Sequence, residues 1–436
     1  MSDTIYALSS GRGMAGVAVI RVSGPGVREA IKELCGRVPD ERVASLLTIA
    51  GSGGAVIDRG ICLYFRGPQS FTGEDVGEFH VHGGRAVVGA LLGALSRMRG
   101  FRAAVAGEFT RRAFANGKLD LVEVEALGDI LAAETEGQLR LAQRVAGGEL
   151  SRRVGQWRDE LVSVLARVEA SIDFADEDDV GEEADLTLLG RVEAVQGAIE
   201  DVLDDKGRGE RLREGVTVVI AGPPNAGKSS LLNVLAKREA AIVSPFPGTT
   251  RDPIEVHLDL GGVPVMLVDT AGLRETGEAV ETIGVERARE RISRAEFVLW
   301  LEPVDGAVGV PEPGGSRVWP VTTKVDLADH VPENKLSVSA VSGAGIAELI
   351  EELTRKVKEV AGDGEDVLIS RVRQREELES CAAELRGYLE ACSGGAGAEL
   401  EAEHLRLALR ALGRMTGQVD VEELLGEIFA AFCIGK

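Results

Sequence analysis

The stretch GPPNAGKS at 222–229 joins an apolar run, VTVVIAG, to a segment that begins SSLLNVLA, so a glycine-rich loop stands between an expected strand and an expected helix. That arrangement turns backbone N–H groups toward a phosphate, and the helix N-terminus adds its positive end. Lys228 then reaches the outer phosphates of a nucleotide, and Ser229 offers a hydroxyl to magnesium. Further along, PGTTRD at 247–252 supplies adjacent threonines, with Thr250 at the distance where a loop brings a second hydroxyl to the same magnesium. IEVHLDL and VPVMLVD read as two strands joined by Gly261-Gly262, a hairpin turn that delivers Asp269 to the water around the metal. In the DTAG that follows, made of Asp269, Thr270, Ala271 and Gly272, the amide of Gly272 senses the terminal phosphate. Loops of this kind order around a triphosphate and relax after hydrolysis.

The base is read at TKVD, 323–326, after the expected strand VWPVT. A carboxylate at Asp326 accepts two hydrogen bonds from the ring and amino N–H groups of guanine, and adenine presents no such pair. Lys324 lays its aliphatic stem on the base. Thr323 stands where this motif usually has asparagine, which weakens one supporting contact. SVSA at 337–340 brings Ser339 and Ala340 behind the base, and the remaining expected contacts are Asn225, Ala226, Gly227 and Ser230 in the phosphate loop and Ser244, Pro245, Phe246, Pro247, Gly248 and Thr249 in the loop before Thr250. Motifs in this order resemble the TrmE-Era-EngA-like branch of P-loop GTPases, in which a hydrophobic residue follows DTAG. Here that residue is Leu273, at the position where Ras-like enzymes carry the glutamine that orients water.

These motifs need elements to hold them. The alternation of apolar strands and amphipathic helices over residues 214–365 predicts a doubly wound α/β GTPase domain. Residues 1–117 mix short β-like runs, VAVIRVSG and GICLYF, with glycine-rich turns and read as an α+β domain. Trp157, Leu161, Leu165, Val168 and Ile172 recur at helical spacing, as do Val421, Leu424, Leu425, Ile428, Phe429 and Phe432, with Asp420 and Glu423 spaced as a capping box. Residues 118–213 and 366–436 are therefore expected to form one helical domain with the α/β module inserted in it. The acidic run at 173–185 reads as a solvated loop or helix end.

A formal charge of −22 argues against a broad basic surface for nucleic acid, so any RNA contact is expected to be local or supplied by a partner. No apolar run approaches the ~18 residues needed to cross a bilayer, which predicts a soluble, cytoplasmic protein. Cys35, Cys62, Cys381, Cys392 and Cys433 show no paired spacing and are expected as buried thiols. His80 and His82 share a strand face without a third ligand, so core or turn roles are expected rather than a metal site.

RVSG (21–24), SFTGEDVGEFHVHGG (70–84), GEFTRRAFANGKLDL (107–121), the inserted module and the final CIGK resemble, over essentially the full length, the MnmE or TrmE family of tRNA modification GTPases. The resemblance implies a first domain that binds 5-formyl- or 5,10-methylene-tetrahydrofolate and forms a homodimer. It implies partnership with the flavoprotein MnmG to place an aminomethyl-type group on carbon 5 of the wobble uridine of certain tRNAs. Carried to matching positions, the folate contacts are Arg21, Glu78, Lys118 and Lys436. Without the resemblance, Arg21 and Lys118 read as surface cations and Glu78 as an exposed strand residue. Leu273 cannot orient water; the resemblance implies a potassium ion held by Asn225 and by oxygens of Ser244, Phe246 and Thr249, with Glu281 holding the water. Two alternatives stay open: an Era-type ribosome-assembly switch and a folate-dependent one-carbon transferase.

Overall fold

The computed structural model describes residues 3–11, 13–51, 53–173, 182–238, 241, 255–269, 295–304, 317–328, 336–419, 422–430 and 432–435. The chain divides into two compact units, one of residues 1–128 with 413–436 and one of residues 129–412.

In the first unit the elements run β1 (Thr4–Leu8), β2 (Ala15–Ser23), α1 (Val27–Cys35), β3 (Ser45–Ala50), β4 (Val56–Phe65), β5 (Val76–Gly83), α2 (Arg85–Ser96), β6 (Phe101–Ala103), α3 (Glu108–Ala115) and the start of α4 (Leu121–Ala132), whose last residues from Asp129 belong to the second unit. The strands form one sheet in the order β3-β4-β5-β2-β1-β6. Strand alternation sends Ala18, Ile20 and Val22 of β2 to the face covered by α1 and α2, where they join Ile31, Leu34, Phe79, Leu91 and Leu95. Burial of each large apolar side chain there contributes about 1.5–3 kcal/mol relative to exposure. The same alternation turns Arg21 and Ser23 to the opposite face. Antiparallel register then sets Arg21 directly across from Glu78 of β5. Phe429 and Phe432, in and after the helix Glu422–Ala430, pack on Val124 with Phe114 beside them. Beyond them Ile434 bridges Ala106, and Ser9 Oγ donates to the Gly435 carbonyl at 3.0 Å, so the tail and the start of the chain share this unit. The expected capping box lies outside the residues whose side chains are described.

The second unit contains α5 (Glu136–Ala146), α6 (Glu149–Asp173), α7 (Glu182–Leu203), α8 (Arg208–Glu214), β7 (Val216–Ala221), α9 (Lys228–Ala236), β8 (Glu255–Leu260), β9 (Val263–Asp269), β10 (Phe297–Pro303), β11 (Arg317–Thr323), β12 (Ser337–Val338), α10 (Ile346–Ala361), α11 (Val372–Gly394) and the start of α12 (Ala398–Thr416). Its sheet has the order β12-β11-β10-β7-β9-β8, parallel except for the β8–β9 hairpin. That hairpin turns at Gly261-Gly262, as its sequence predicts, with φ of 67° and 94°. Along α6 the buried stripe is Leu150, Val154, Trp157, Leu161, Val164 and Val168. Val164 takes the inward place expected of Leu165, because steps of three and four from Trp157 keep a seven-residue seam that Leu165 and Ile172 only flank. The acidic run falls mostly outside the described residues.

One carboxylate grips both crossings of the chain into and out of the α/β module. Asp129 Oδ1 accepts from Arg213 Nε at 2.9 Å, just before β7, and from Arg371 Nη2 at 2.6 Å, just before α11. The hairpin adds a third tie: the Gly262 carbonyl accepts from Gly137 N at 3.2 Å and from Thr135 Oγ1 at 2.6 Å.

Candidate functional site

Two constellations stand out, one in each unit. The nucleotide constellation sits at the C-terminal ends of β7, β9 and β11, the position that ligands take in open parallel sheets where neighbouring connections diverge. The phosphate loop leaves β7 at Gly222, whose φ is +146° and whose added Cβ would stand 2.6 Å from the Leu301 carbonyl oxygen, so no larger residue fits. Asn225 takes φ +61°, a left-handed conformation that asparagine tolerates better than most residues. Lys228 curls over the loop and donates to the carbonyls of Gly222 at 3.0 Å and Pro223 at 2.8 Å. Ser229 Oγ donates to Asp269 Oδ2 at 2.6 Å, which brings a hydroxyl and a carboxylate, both hard oxygen donors, to one point beside the loop. Ser230 follows on the first turn of α9, and Gly227 caps that helix.

The end expected to read the base is equally defined. Ser339, fully buried, donates to Asp326 Oδ1 at 2.5 Å and accepts from the amides of Val341 and Ser342 at 3.2 and 3.0 Å. Ser339 therefore fixes the rotation of the carboxylate, and Ala340 follows it. Thr323 is buried and its hydroxyl donates to the Ala226 carbonyl at 2.8 Å. The tie between this motif and the phosphate loop is thus made by threonine, at the contact expected to be weaker than with asparagine. Ser244, Pro245, Phe246, Pro247, Gly248, Thr249, Thr250, Thr270, Ala271, Gly272, Leu273 and Glu281 lie outside the described residues, as does Lys436.

In the first unit, Arg21 is no loose surface cation. Its Nε and Nη2 reach Glu78 Oε1 at 3.0 and 2.9 Å, and its guanidinium lies over the rings of Phe71 at 5.3 Å and Phe109 at 5.8 Å. Both carboxylate oxygens of Glu78 are engaged, since His80 Nε2 stands 3.4 Å from Oε2. The stem of Lys118 lies beside Gly73, where an added Cβ would meet Lys118 Cγ at 3.3 Å. The two phenylalanines escaped the sequence reading, although both fall inside the quoted stretches SFTGED and GEFT.

Behind them Arg112 and Glu108 are fully buried and joined at 3.2 Å, with Arg102 and Asp3 at their edge. Burial pushes the Glu108 carboxyl up, but hydrogen bonds from Arg102 and the Val105 amide, with the charge of Arg102, outweigh it and hold the carboxyl below its ordinary value.

Two expectations need correction. His82 is exposed at the end of β5, where its ring Nδ1 pairs with Asp58 at 2.9 Å, so it fills no core. Cys433 is exposed, because the helix stops at Ala430 and Cys433 lies in the tail beyond it. Cys62 and Cys381 are buried as expected, with burial pushing the Cys381 thiol up to about 12, while Cys35 and Cys392 are half-buried.

Two family models match the chain: GTP-binding protein TrmE N-terminus over residues 4–118 and MnmE helical domain over residues 121–433. The tRNA modification GTPase MnmE of Azorhizobium caulinodans is 52% identical over 439 residues, covering 100% of this chain and 99% of that protein. The proteins of the same name from Methylobacterium radiotolerans and Brucella canis are 49% and 48% identical, each over 100% of this chain. Among solved structures, Era of Aquifex aeolicus is 24% identical with a TM-score of 0.26, covering 32% of this chain and 56% of that one. The G domain of the T. maritima iron transporter FeoB is 25% identical with a TM-score of 0.24, covering 34% of this chain and 98% of that one.

Proposed function

The chain belongs to the MnmE family, and on that premise we propose that it hydrolyses GTP and, with the flavoprotein MnmG, modifies carbon 5 of the wobble uridine of certain tRNAs to an aminomethyl-type derivative. The one-carbon unit comes from a tetrahydrofolate, 5-formyl or 5,10-methylene. The observation that carries the nucleotide half is the hydrogen bond from Ser229 Oγ to Asp269 Oδ2 at 2.6 Å beside Lys228. It gathers the oxygen donors that suit magnesium at the mouth of the phosphate loop, with Thr250 as the second hydroxyl. Asp326, held by Ser339, selects guanine.

Potassium is the second cation of this reading, held by Asn225, Ser244, Phe246 and Thr249. The oxygen-rich set suits it, and Asn225 is exposed on the loop with its backbone in the left-handed region. When bound there, potassium supplies the positive charge that an arginine finger supplies elsewhere. Glu281 orients the attacking water, which Leu273 cannot do.

Folate is assigned to Arg21, Glu78, Lys118 and Lys436. The ring-stacked guanidinium and the half-buried carboxylate suit a flat heterocycle with a donor edge, and the cations suit its anionic glutamate tail. Docking of the tail residues Ile434 and Gly435 against Ala106 and Ser9 supports a role for Lys436 there.

In this reading residues 1–117 form the folate-binding and dimerisation domain, and residues 118–213 with 366–436 form the helical domain that carries the GTPase module 214–365. The protein works in the cytoplasm as a homodimer, with MnmG providing most of the basic surface for tRNA. Relatives near 50% identity along the whole chain favour this over an Era-type switch or a small-molecule one-carbon transferase. Mass spectrometry of tRNA nucleosides from cells lacking the gene tests it: loss of the modified wobble uridine is expected, and an unchanged nucleoside profile refutes it.

A further inference from the structure

Arg21 and Lys118 share a neighbour that the folate reading does not include, the segment at residues 70–74. Phe71 lies under the Arg21 guanidinium and packs with Ile5, Ala7, Ala104 and Phe109. Gly73, at φ +77°, approaches so closely that an added Cβ would stand 3.0 Å from Asn116 Cβ and 3.3 Å from Lys118 Cγ. Asn116 Nδ2 donates to the Thr72 carbonyl at 2.6 Å. The Arg21 guanidinium and the stem of Lys118 therefore both lean on this one segment.

A buried polar tie holds the segment down. Ser23 and Thr72, both fully buried, join hydroxyl to hydroxyl at 2.7 Å, and Ser23 Oγ donates to Glu74 Oε2 at 2.8 Å. Arg112 Nη1 reaches both Glu74 oxygens, at 3.2 and 3.0 Å, while Ser70 Oγ donates to the Glu74 carbonyl. On its other side Arg112 is clamped: Nη1 donates to the Asp3 carbonyl at 3.1 Å, and Nη2 to Asp3 Oδ1 at 2.9 Å and Glu108 Oε1 at 3.2 Å. Burying one guanidinium among carboxylates costs desolvation that an apolar core of equal volume avoids, and although Arg112 Nε is buried without a partner, the bonds made by both of its Nη atoms rigidify what they touch.

We infer that Arg112 is a positioning residue for folate binding: through Glu74, Ser23 and Thr72 it holds residues 70–74 so that Phe71 and Gly73 fix the spacing of Arg21 and Lys118. The inference rests on the folate reading above. It also separates this network from mere ballast, since ballast would change stability and leave affinity alone.

The test is calorimetric titration of 5-formyltetrahydrofolate into the full-length parent, Arg112→Lys, Thr72→Val and Thr72→Ser, with the unfolding temperature and GTP hydrolysis of each measured alongside. Thr72→Val keeps the shape and removes the hydroxyl that joins Ser23; Thr72→Ser restores it. Arg112→Lys and Thr72→Val should bind folate at least tenfold more weakly well below their unfolding temperatures, hydrolyse GTP at the parental rate, and be contrasted by parental affinity in Thr72→Ser. If Arg112→Lys does not fold, Thr72→Val decides alone. Parental folate affinity in the folded variants overturns the inference and leaves the folate reading standing, whereas no binding by the parent overturns both.

Discussion

The two candidate sites are built in opposite ways. The nucleotide site is made of short runs, each contiguous in sequence, set at the ends of β7, β9 and β11, and its cation Lys228 is held by carbonyls of its own loop. The candidate folate site is made of single residues far apart in sequence, and its cation Arg21 already faces a carboxylate, Glu78, through strand register. Charge divides the same way. Of the 49 lysines and arginines 17 lie in the first unit and 32 in the second, and of the 71 acidic residues 17 and 54. The whole of the −22 therefore lies on the unit that carries the nucleotide motifs, while the other is formally neutral. An acidic unit can accept a triphosphate because loop amides act at short range, whereas a long polyanion responds to the wider field and is repelled less by the neutral unit.

If the sites are as separate as their construction implies, damage to one leaves the other working. The largest effect is expected from Glu281→Ala: GTP affinity near the parental value with hydrolysis slower by roughly 10² to 10⁴, the usual loss for a positioned water-orienting or acid–base group. Single-turnover rates in saturating potassium check it, and folate affinity should not move. Next comes Asp326→Asn, expected to weaken GTP by on the order of 10²-fold or more, the worth of two charge-assisted hydrogen bonds, and to shift preference toward xanthosine triphosphate. Competition binding between the two nucleotides measures this; retained GTP preference would remove Asp326 from the base pocket.

What could be foreseen follows the same contrast. The run from β7 through the phosphate loop to α9, and the hairpin at Gly261-Gly262, were legible because local spacing and turn chemistry decide them. The Phe71–Arg21–Phe109 stack and the Arg112 tie were not, because they depend on which residues β2 and β5 set side by side and on where α3 lands. On their residue types alone, Arg21 and Glu78 read as surface charges, and only the family resemblance singled them out. The exchange of Leu165 for Val164 on α6 is a rotation by one residue that packing, rather than composition, decides. The partner of Thr323 was hidden for a related reason: a substitution in a motif says which atom is lost and not which hydrogen bond the replacement finds.

Smaller effects sharpen the contrast. Thr323→Val removes the hydroxyl that reaches the Ala226 carbonyl and should weaken nucleotide binding by about five- to tenfold, one buried hydrogen bond's worth, without changing the preference for guanine. In the first unit, Glu108 has its carboxyl held below the ordinary value, so the stability it contributes is complete above the unfolded-state value and is lost as pH falls through the depressed folded one. The gap in unfolding temperature between the parent and Glu108→Gln should be widest near neutral pH and close in acid. A gap that widens in acid would reverse the sign of that assignment.

Whether the two chemistries occupy different units is decided most directly by cross-titration: GTP with magnesium, and separately 5-formyltetrahydrofolate, titrated into full-length parent, Lys228→Ala and Arg21→Ala. Lys228→Ala should lose GTP binding by at least about tenfold and keep parental folate affinity, since it removes a charged contact to the phosphates alone. Arg21→Ala should do the reverse. Loss of both ligands in either folded variant, or parental binding of both, would contradict the assignment of one site to each unit.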